Sequence, residues 1–351
     1  MSVRNTVRPK RVRASSSPSV NIIQETQGFA FAVCQKRAAP TGSPFFVVGQ
    51  RIDGQIQVMV KYILIVLLLA LVGSGLWFLT KTDPQKLDFA DRIALGVAEF
   101  KHAPVTGIAY GADARQKLDI YGPPDQDRSG RSVLIFFHGG AWRDGERDGY
   151  GFLGRAFASR GFVTVLADYR KAPMVRFPAF VEDTAAAIAW VHRNIGSYHG
   201  DPDRIFVMGH SAGAHMAMMA ALDPQWLAAN NLNAGVIKGV IGLAGPYDFL
   251  PLTTESSKIA LGQWPNLTET QPITYARANA PPLLLLTGDE DTVVKPRNSK
   301  ILSEKIGSLG GNQRLKIYPG VDHADIIMAV ARPFRKKAPV VADVVDFINA
   351  Q

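Results

Sequence analysis

From residue 105 onward the chain alternates between two kinds of pattern. Residues 132–137, 162–166, 204–208, 239–243, 283–286 and 315–318 are short runs, most of them apolar at nearly every position. Such runs read as strands buried on both faces. A further strand, 116–121, is ended by Gly122-Pro123-Pro124. Between the runs lie stretches rich in helix formers or apolar at helical spacing: 152–159, 180–194, 214–222, 300–309 and 340–349. Glycines at 161 and 310 stop two of them. This alternation predicts an α/β fold, a mostly parallel sheet covered by helices on both faces.

The first hundred residues follow a different rule. Residues 1–57 are basic and rich in Ser and Pro near the start, without apolar periodicity, and read as a disordered tail. Met59 is a natural alternative start, which would leave the tail untranslated. Residues 62–79 are 18 positions without a charge, with Trp77 and Phe78 near one end. That is the threshold for a membrane-spanning helix with interfacial aromatics. A signal peptide cleaved after Gly75 is a rival, but it would leave Leu-Trp-Phe-Leu as the new terminus. A buried core helix is the other. An uncleaved transmembrane anchor is the reading favoured. Residues 81–104, with a helical stretch at 89–100, then connect it to a domain spanning 105–351. The expected location is a bacterial-type inner membrane with that domain on the extracytoplasmic side, although the charges close to the span do not fix its orientation.

Charge changes the picture less than its total suggests. The net charge is +9, but residues 1–61 hold nine Lys/Arg and two Asp/Glu, so seven of those charges sit there. The rest of the chain is close to neutral, with no basic patch interleaved with aromatics, and nucleic-acid binding is not expected. The single cysteine, Cys34, permits neither an intramolecular disulfide nor a cysteine-based metal site.

Chemistry is concentrated after the strands. Gly209-His210-Ser211-Ala212-Gly213 follows an apolar run and precedes a helix-forming stretch, the context of a nucleophile elbow. The turn is sharp enough that both glycines must lack side chains. His138, Ser211, Asp291 and His323 each follow an apolar strand, so the loops at one edge of a parallel sheet bring them together. A serine hydroxyl needs a base. His323 is the candidate, and Asp291 would hold its tautomer, in the order Ser…Asp…His. His102, His192 and His199 fall on helical, linker or loop stretches. His210 and His215 flank the serine on a turn that aims them elsewhere. Asp289 is expected to cap its turn and Asp322 to be a turn or surface residue. His138-Gly139-Gly140-Ala141-Trp142 would form an oxyanion hole from the N–H groups of Gly140, Ala141 and Ala212. Trp142 is expected to line the substrate pocket, with His210 and Tyr247 as further pocket candidates. Phe249, Leu252 and Trp264 would add to it from an insertion of about 35 residues before Pro281, too short for a large lid.

These two motifs, with Asp168-Tyr169-Arg170-Lys171-Ala172-Pro173 and Gly288-Asp289-Glu290-Asp291, resemble the α/β-hydrolase esterases. The resemblance covers residues 105–351. It lies nearest the hormone-sensitive-lipase-like carboxylesterases and the feruloyl/acetyl-esterase and kynurenine-formamidase-like branch. Ala141 stands where the family often has a third glycine, and His210 where the lipase-like branch usually has Asp, which moves the match toward the second branch. The resemblance implies an α/β-hydrolase fold and hydrolysis of carboxylic esters through an acyl-enzyme, without cofactor or metal, and the short insertion before Pro281 points to small to medium acyl chains. Two other readings stand beside it: an arylformamidase acting on N-formylkynurenine, and a membrane-anchored, non-catalytic binding protein of the same fold.

Overall fold

The computed structural model describes residues 56–68, 83–95, 103–123 and 129–351. The chain divides into two units, 1–69 and 70–351. The described part of the first is a helix over 56–68 whose apolar side chains, among them Tyr62, Leu64 and Val66, are exposed. The expected tail, Cys34 and residues 69–79 of the expected anchor lie outside the described residues. Among the described residues no helix is long and apolar enough to cross a membrane, so the spanning helix expected over 62–79 is not seen in the structure.

The second unit is built on one eight-stranded sheet. Its strands are β1 (Val105–Ala109), β2 (Lys117–Tyr121), β3 (Arg131–Phe137), β4 (Val163–Ala167), β5 (Gly200–His210), β6 (Ile237–Leu243), β7 (Leu283–Gly288) and β8 (Gln313–Tyr318). Their spatial order is β1-β2-β4-β3-β5-β6-β7-β8. The pairs β1–β2 and β2–β4 are antiparallel, and all others are parallel.

The continuous apolar runs resolve into two cores because strand side chains alternate between faces. Val133, Ile135, Phe137, Ile205, Val207, Leu283 and Leu285 join one core, with helices α3 (Ala179–Asn194), α4 (Ala212–Leu222) and α6 (Arg297–Ser308). Leu134, Phe136, Phe206, Met208, Leu284 and Leu286 join the other, with α2 (Gly151–Ala158) and α7 (Val340–Asn349). Every residue of α4 is buried, as expected of a helix apolar on all sides. A short helix, α5 (Glu255–Leu261), lies in the insertion before β7. The chain turns from β3 to β4 on one side and then to β5 on the other. The carboxyl ends of β3 and β5 therefore lie side by side where the strand order reverses, the place where open α/β sheets hold their ligands.

Two elements differ from expectation. The edge strand β1 has only one position that is not exposed, and Thr106 and Gly107 interrupt its apolar residues, so it lacks the continuous apolar run that marks most of the other strands. The helix expected at 89–100 begins earlier, as α1 (Asp83–Leu95), and residues 96–100 lie outside the described residues. Its apolar spacing misleads because its two fully buried residues are Asp88 and Asp91, while Phe89 is exposed. The stretch expected to be a connector is thus docked by charge. Arg155 Nη2 donates to Asp88 Oδ1 and to Asp91 Oδ2, both at 2.7 Å. The Arg332 backbone N–H donates to Asp91 Oδ1 at 2.8 Å.

Removing one partner from a buried ion pair strands the other charge. Arg155→Ala is expected to destabilise the unit by about 3 kcal/mol, read as a lower urea midpoint. An unchanged midpoint would mean that the α1 contact contributes no net stability.

Candidate active site

The elbow follows β5 directly. Ser211 has φ 54° and ψ −122°, backbone angles that an L-residue holds only under strain. Its own N–H donates to the Leu243 carbonyl at 2.9 Å, which ties the turn to the end of β6. The flanking glycines answer to measurable crowding. A Cβ on Gly209 would lie 2.2 Å from the Gly213 carbonyl oxygen, and one on Gly213 would lie 2.1 Å from that of Phe137. Neither space admits a methyl group.

Three distant residues meet here in one hydrogen-bonded chain. His323 Nε2 lies 2.9 Å from Ser211 Oγ, and Nδ1 lies 2.8 Å from Asp291 Oδ2. The other carboxylate oxygen of Asp291 accepts from the N–H groups of Val293 and Val294 at 2.9 and 2.8 Å. Asp291 is nearly fully buried, so its orientation is fixed by these bonds. The competing residues are occupied elsewhere. Asp289 accepts from the Gly320 N–H, and Asp322 accepts from the N–H groups of Ala324 and Asp325. His215 is buried, taking a bond from Trp142 Nε1 at 3.2 Å and facing the Thr270 carbonyl. Burial holds its imidazole down at about 4.

The loop after β3 turns back on itself through three consecutive left-handed residues, Gly140 (φ 121°), Ala141 (φ 51°) and Trp142 (φ 58°). The Gly140 carbonyl accepts from the N–H groups of Arg143 and Asp144. Among the described residues, none accepts from the N–H of Gly140 or Ala141. Successive left-handed residues of this kind turn N–H groups into a concavity suited to an anion.

A buried charge network beneath this loop escaped the sequence reading. His138 Nε2 lies 3.0 Å from Asp168 Oδ1, which also accepts from the Arg147 backbone N–H. Arg147 spans two carboxylates, donating to Asp168 Oδ2 at 2.7 Å and to Asp119 Oδ1 at 2.9 Å. Lys171 Nζ donates to the Gly145 carbonyl, and the Tyr169 hydroxyl donates to that of His138. Burial alone would raise the Asp168 carboxyl, but the His138 bond and the charges of His138, Lys171 and Arg147 prevail and hold it at about 2. Arg170 clamps Asp183 on α3 at 2.7 Å. The motif 168–173 carried the only signal for this network, as part of a resemblance without assigned roles.

A cavity of about 540 Å³ opens beside the serine. Ala141, Trp142, Ser211 and Ala212 line it, with Phe249, Leu250 and Pro251 from the insertion and Val293 and Val294 after β7. Trp142 is therefore placed as expected, its ring stacked on Phe249 at 5.9 Å. Tyr247 is not. It is fully buried, and its hydroxyl fills the space left by Gly242 and Gly245, where added Cβ atoms would lie 1.8 and 2.4 Å away. Leu252 and Trp264 pack against the core instead. His210 turns away from this cavity. Its Nε2 faces the His323 carbonyl at 3.0 Å and its ring packs on that of His323. Burial and the neighbouring His323 push it down to about 3, so it stays neutral beside the candidate base.

The sheet order, the elbow after β5 and the joined Ser, His and Asp define an α/β-hydrolase fold with a serine-hydrolase-type site. The BD-FAE family model matches residues 118–306, more than half of the chain, and the chain belongs to that family. It is 32% identical over 246 residues to Esterase LipC of Mycobacterium tuberculosis, covering 64% of this chain and 60% of that protein. It is 29% identical over 266 residues to isoprenylcysteine alpha-carbonyl methylesterase ICME of Arabidopsis thaliana, covering 70% and 62%. The chain thus spans about six-tenths of the length of these curated relatives. A solved structure titled as a truncated carbohydrate esterase from gut microbiota shares the fold, with a TM-score of 0.63 at 20% identity, over 72% of this chain and 98% of that one.

Asp168 offers a test of the network. Its folded value lies below the unfolded one, so the stability it contributes is present above about pH 4 and is lost as the pH falls through about 2. Asp168→Asn is expected to cost at least about 2 kcal/mol at pH 7. In urea titrations the gap to the wild type should narrow below pH 4; a gap independent of pH would refute the charge account.

Proposed function

We propose that this chain is a serine hydrolase of carboxylic esters, with Ser211 as nucleophile, His323 as general base and acid, and Asp291 as the group that orients and stabilises His323. The observation that carries the reading is the continuous hydrogen-bonded chain from Asp291 through His323 to Ser211. The names of its relatives, esterase and methylesterase, support it from a second side.

The reaction follows from the geometry. Ser211 Oγ attacks the ester carbonyl while His323 Nε2 takes its proton. The carbonyl oxygen becomes negative and is held by the N–H groups of Gly140, Ala141 and Ala212, each such donor worth about 3–4 kcal/mol in the transition state. The alcohol oxygen leaves with the proton from Nε2, and the acyl group stays on Ser211. Water, activated by the same imidazole, then releases the acid. Small to medium acyl chains suit the cavity beside Ser211, whose volume lies in the ordinary range of small-molecule sites.

The reading extends to location. The uncharged run 62–79 supports a single N-terminal membrane anchor with the hydrolase domain extracytoplasmic, and the exposed apolar side chains of the described residues 62–68 fit it. The full-length protein should then stay in the membrane fraction through a carbonate wash and be cut by protease added to the outer face. Release by carbonate would reject the anchor.

Ser211→Ala is expected to lower kcat on p-nitrophenyl acetate, butyrate and octanoate by about 10⁴-fold or more. Asp291→Asn should cost about 10⁴-fold by disturbing the tautomer of His323. A folded wild type inactive on all esters would reject the hydrolase reading.

A further inference from the structure

The site has a second cavity, and most of its wall comes from parts of the chain outside the segment matched by the family model. It measures about 560 Å³. Leu87 and Ala90 of α1 line it, with Phe152 of α2 and Ile327, Met328 and Phe334 from the segment after β8. Asp83 and Lys86 also line it and pair with each other at 3.2 Å. His210 and His323 also line it, with Pro84, Tyr150 and Ala324, and burial holds His210 neutral. The cavity is therefore apolar and directly adjoins the imidazole that bonds the serine.

The two cavities share no lining residue. Ser211 lines the first and His323 lines the second, and the 2.9 Å bond between them marks the boundary. Resting on the hydrolase reading above, this partition assigns the two halves of an ester. The acyl group becomes bonded to Ser211 Oγ, so it must occupy the cavity that Ser211 lines. The bond that breaks joins the carbonyl carbon to the alcohol oxygen, and that oxygen takes its proton from His323 Nε2. The alcohol must therefore lie on the His323 side. We infer that the α1-walled cavity is the alcohol subsite, and that it selects esters whose alcohol is an extended apolar chain.

α1 is held for this task by its carboxylates rather than by apolar burial. Asp88 and Asp91 face Arg155 and Arg332, which leaves Leu87 and Ala90 free to face the cavity. Gly149 permits the close approach, since a Cβ there would lie 2.9 Å from Pro84 Cβ.

Two ester series on the full-length protein test the assignment: butyrates of methyl to octyl alcohols, and methyl esters of two- to eight-carbon acids. A fully buried methylene is worth about fourfold in kcat/KM, so burying only two or so of those that distinguish octyl from methyl butyrate should raise kcat/KM by about tenfold. Ala90→Trp and Met328→Trp fill the cavity from two separate elements. Each should remove the gain for octyl butyrate while leaving the methyl-ester series within about twofold, and that unaltered turnover also reports that the variant is folded. Wild-type turnover indifferent to alcohol length, or Trp variants that impair the acid series instead, would overturn the assignment and leave the hydrolase reading standing. Failure to turn over any ester would overturn the hydrolase reading and the subsite with it.

Discussion

The candidate site depends on how closely the first turn of α4 approaches the end of β3. Gly213 sits where a Cβ would lie 2.1 Å from the Phe137 carbonyl oxygen, so a single methyl group would force the two apart. Their contact sets the strained Ser211 beside the left-handed run of Gly140, Ala141 and Trp142. The candidate nucleophile and the candidate anion-holding loop come from strands that are neighbours in space but separated by two crossovers in sequence. The sheet makes them adjacent, and the missing side chain makes them adjacent enough.

The loop proposed to receive the developing charge is held from below by charges of its own. Asp168 and Asp119 face His138, Arg147 and Lys171 in a nearly closed interior. Arranged this way, fixed dipoles and ions need little reorganisation when the carbonyl oxygen becomes negative. Such a network also resists partial replacement, because removing one member leaves another charge buried without its partner.

Most of the fold could be read from apolar runs, because strands buried on both faces leave short continuous runs bounded by turn residues. The elbow, the candidate base and acid, and the loop after β3 could be read because each follows such a run. Three features could not. β1 is a short exposed edge whose apolar residues are interrupted by Thr106 and Gly107 and form no buried run. α1 buries carboxylates rather than an apolar stripe, so the periodicity that marks other helices points to the wrong span. Tyr247 reads as a pocket aromatic, but Gly242 and Gly245 make room for it inside the core. For α1 the deciding contacts are polar and lie far away in sequence, and for Tyr247 they depend on side chains that are absent.

Asp91 on α1 reaches Arg332 across 241 positions of sequence, and this joins the beginning of the domain to its end. A chain emerging from the ribosome completes that contact only after those residues have followed, which takes roughly 12 to 50 seconds at the usual pace of synthesis. Until its partners Arg155 and Arg332 have been made, the Asp91 carboxylate can remain in water, where it is at ease. α1 is thus among the first parts of the domain to be made, while the last of its contacts waits for the far end. The order of assembly is written into the choice of an acid, rather than a leucine, for the face that docks.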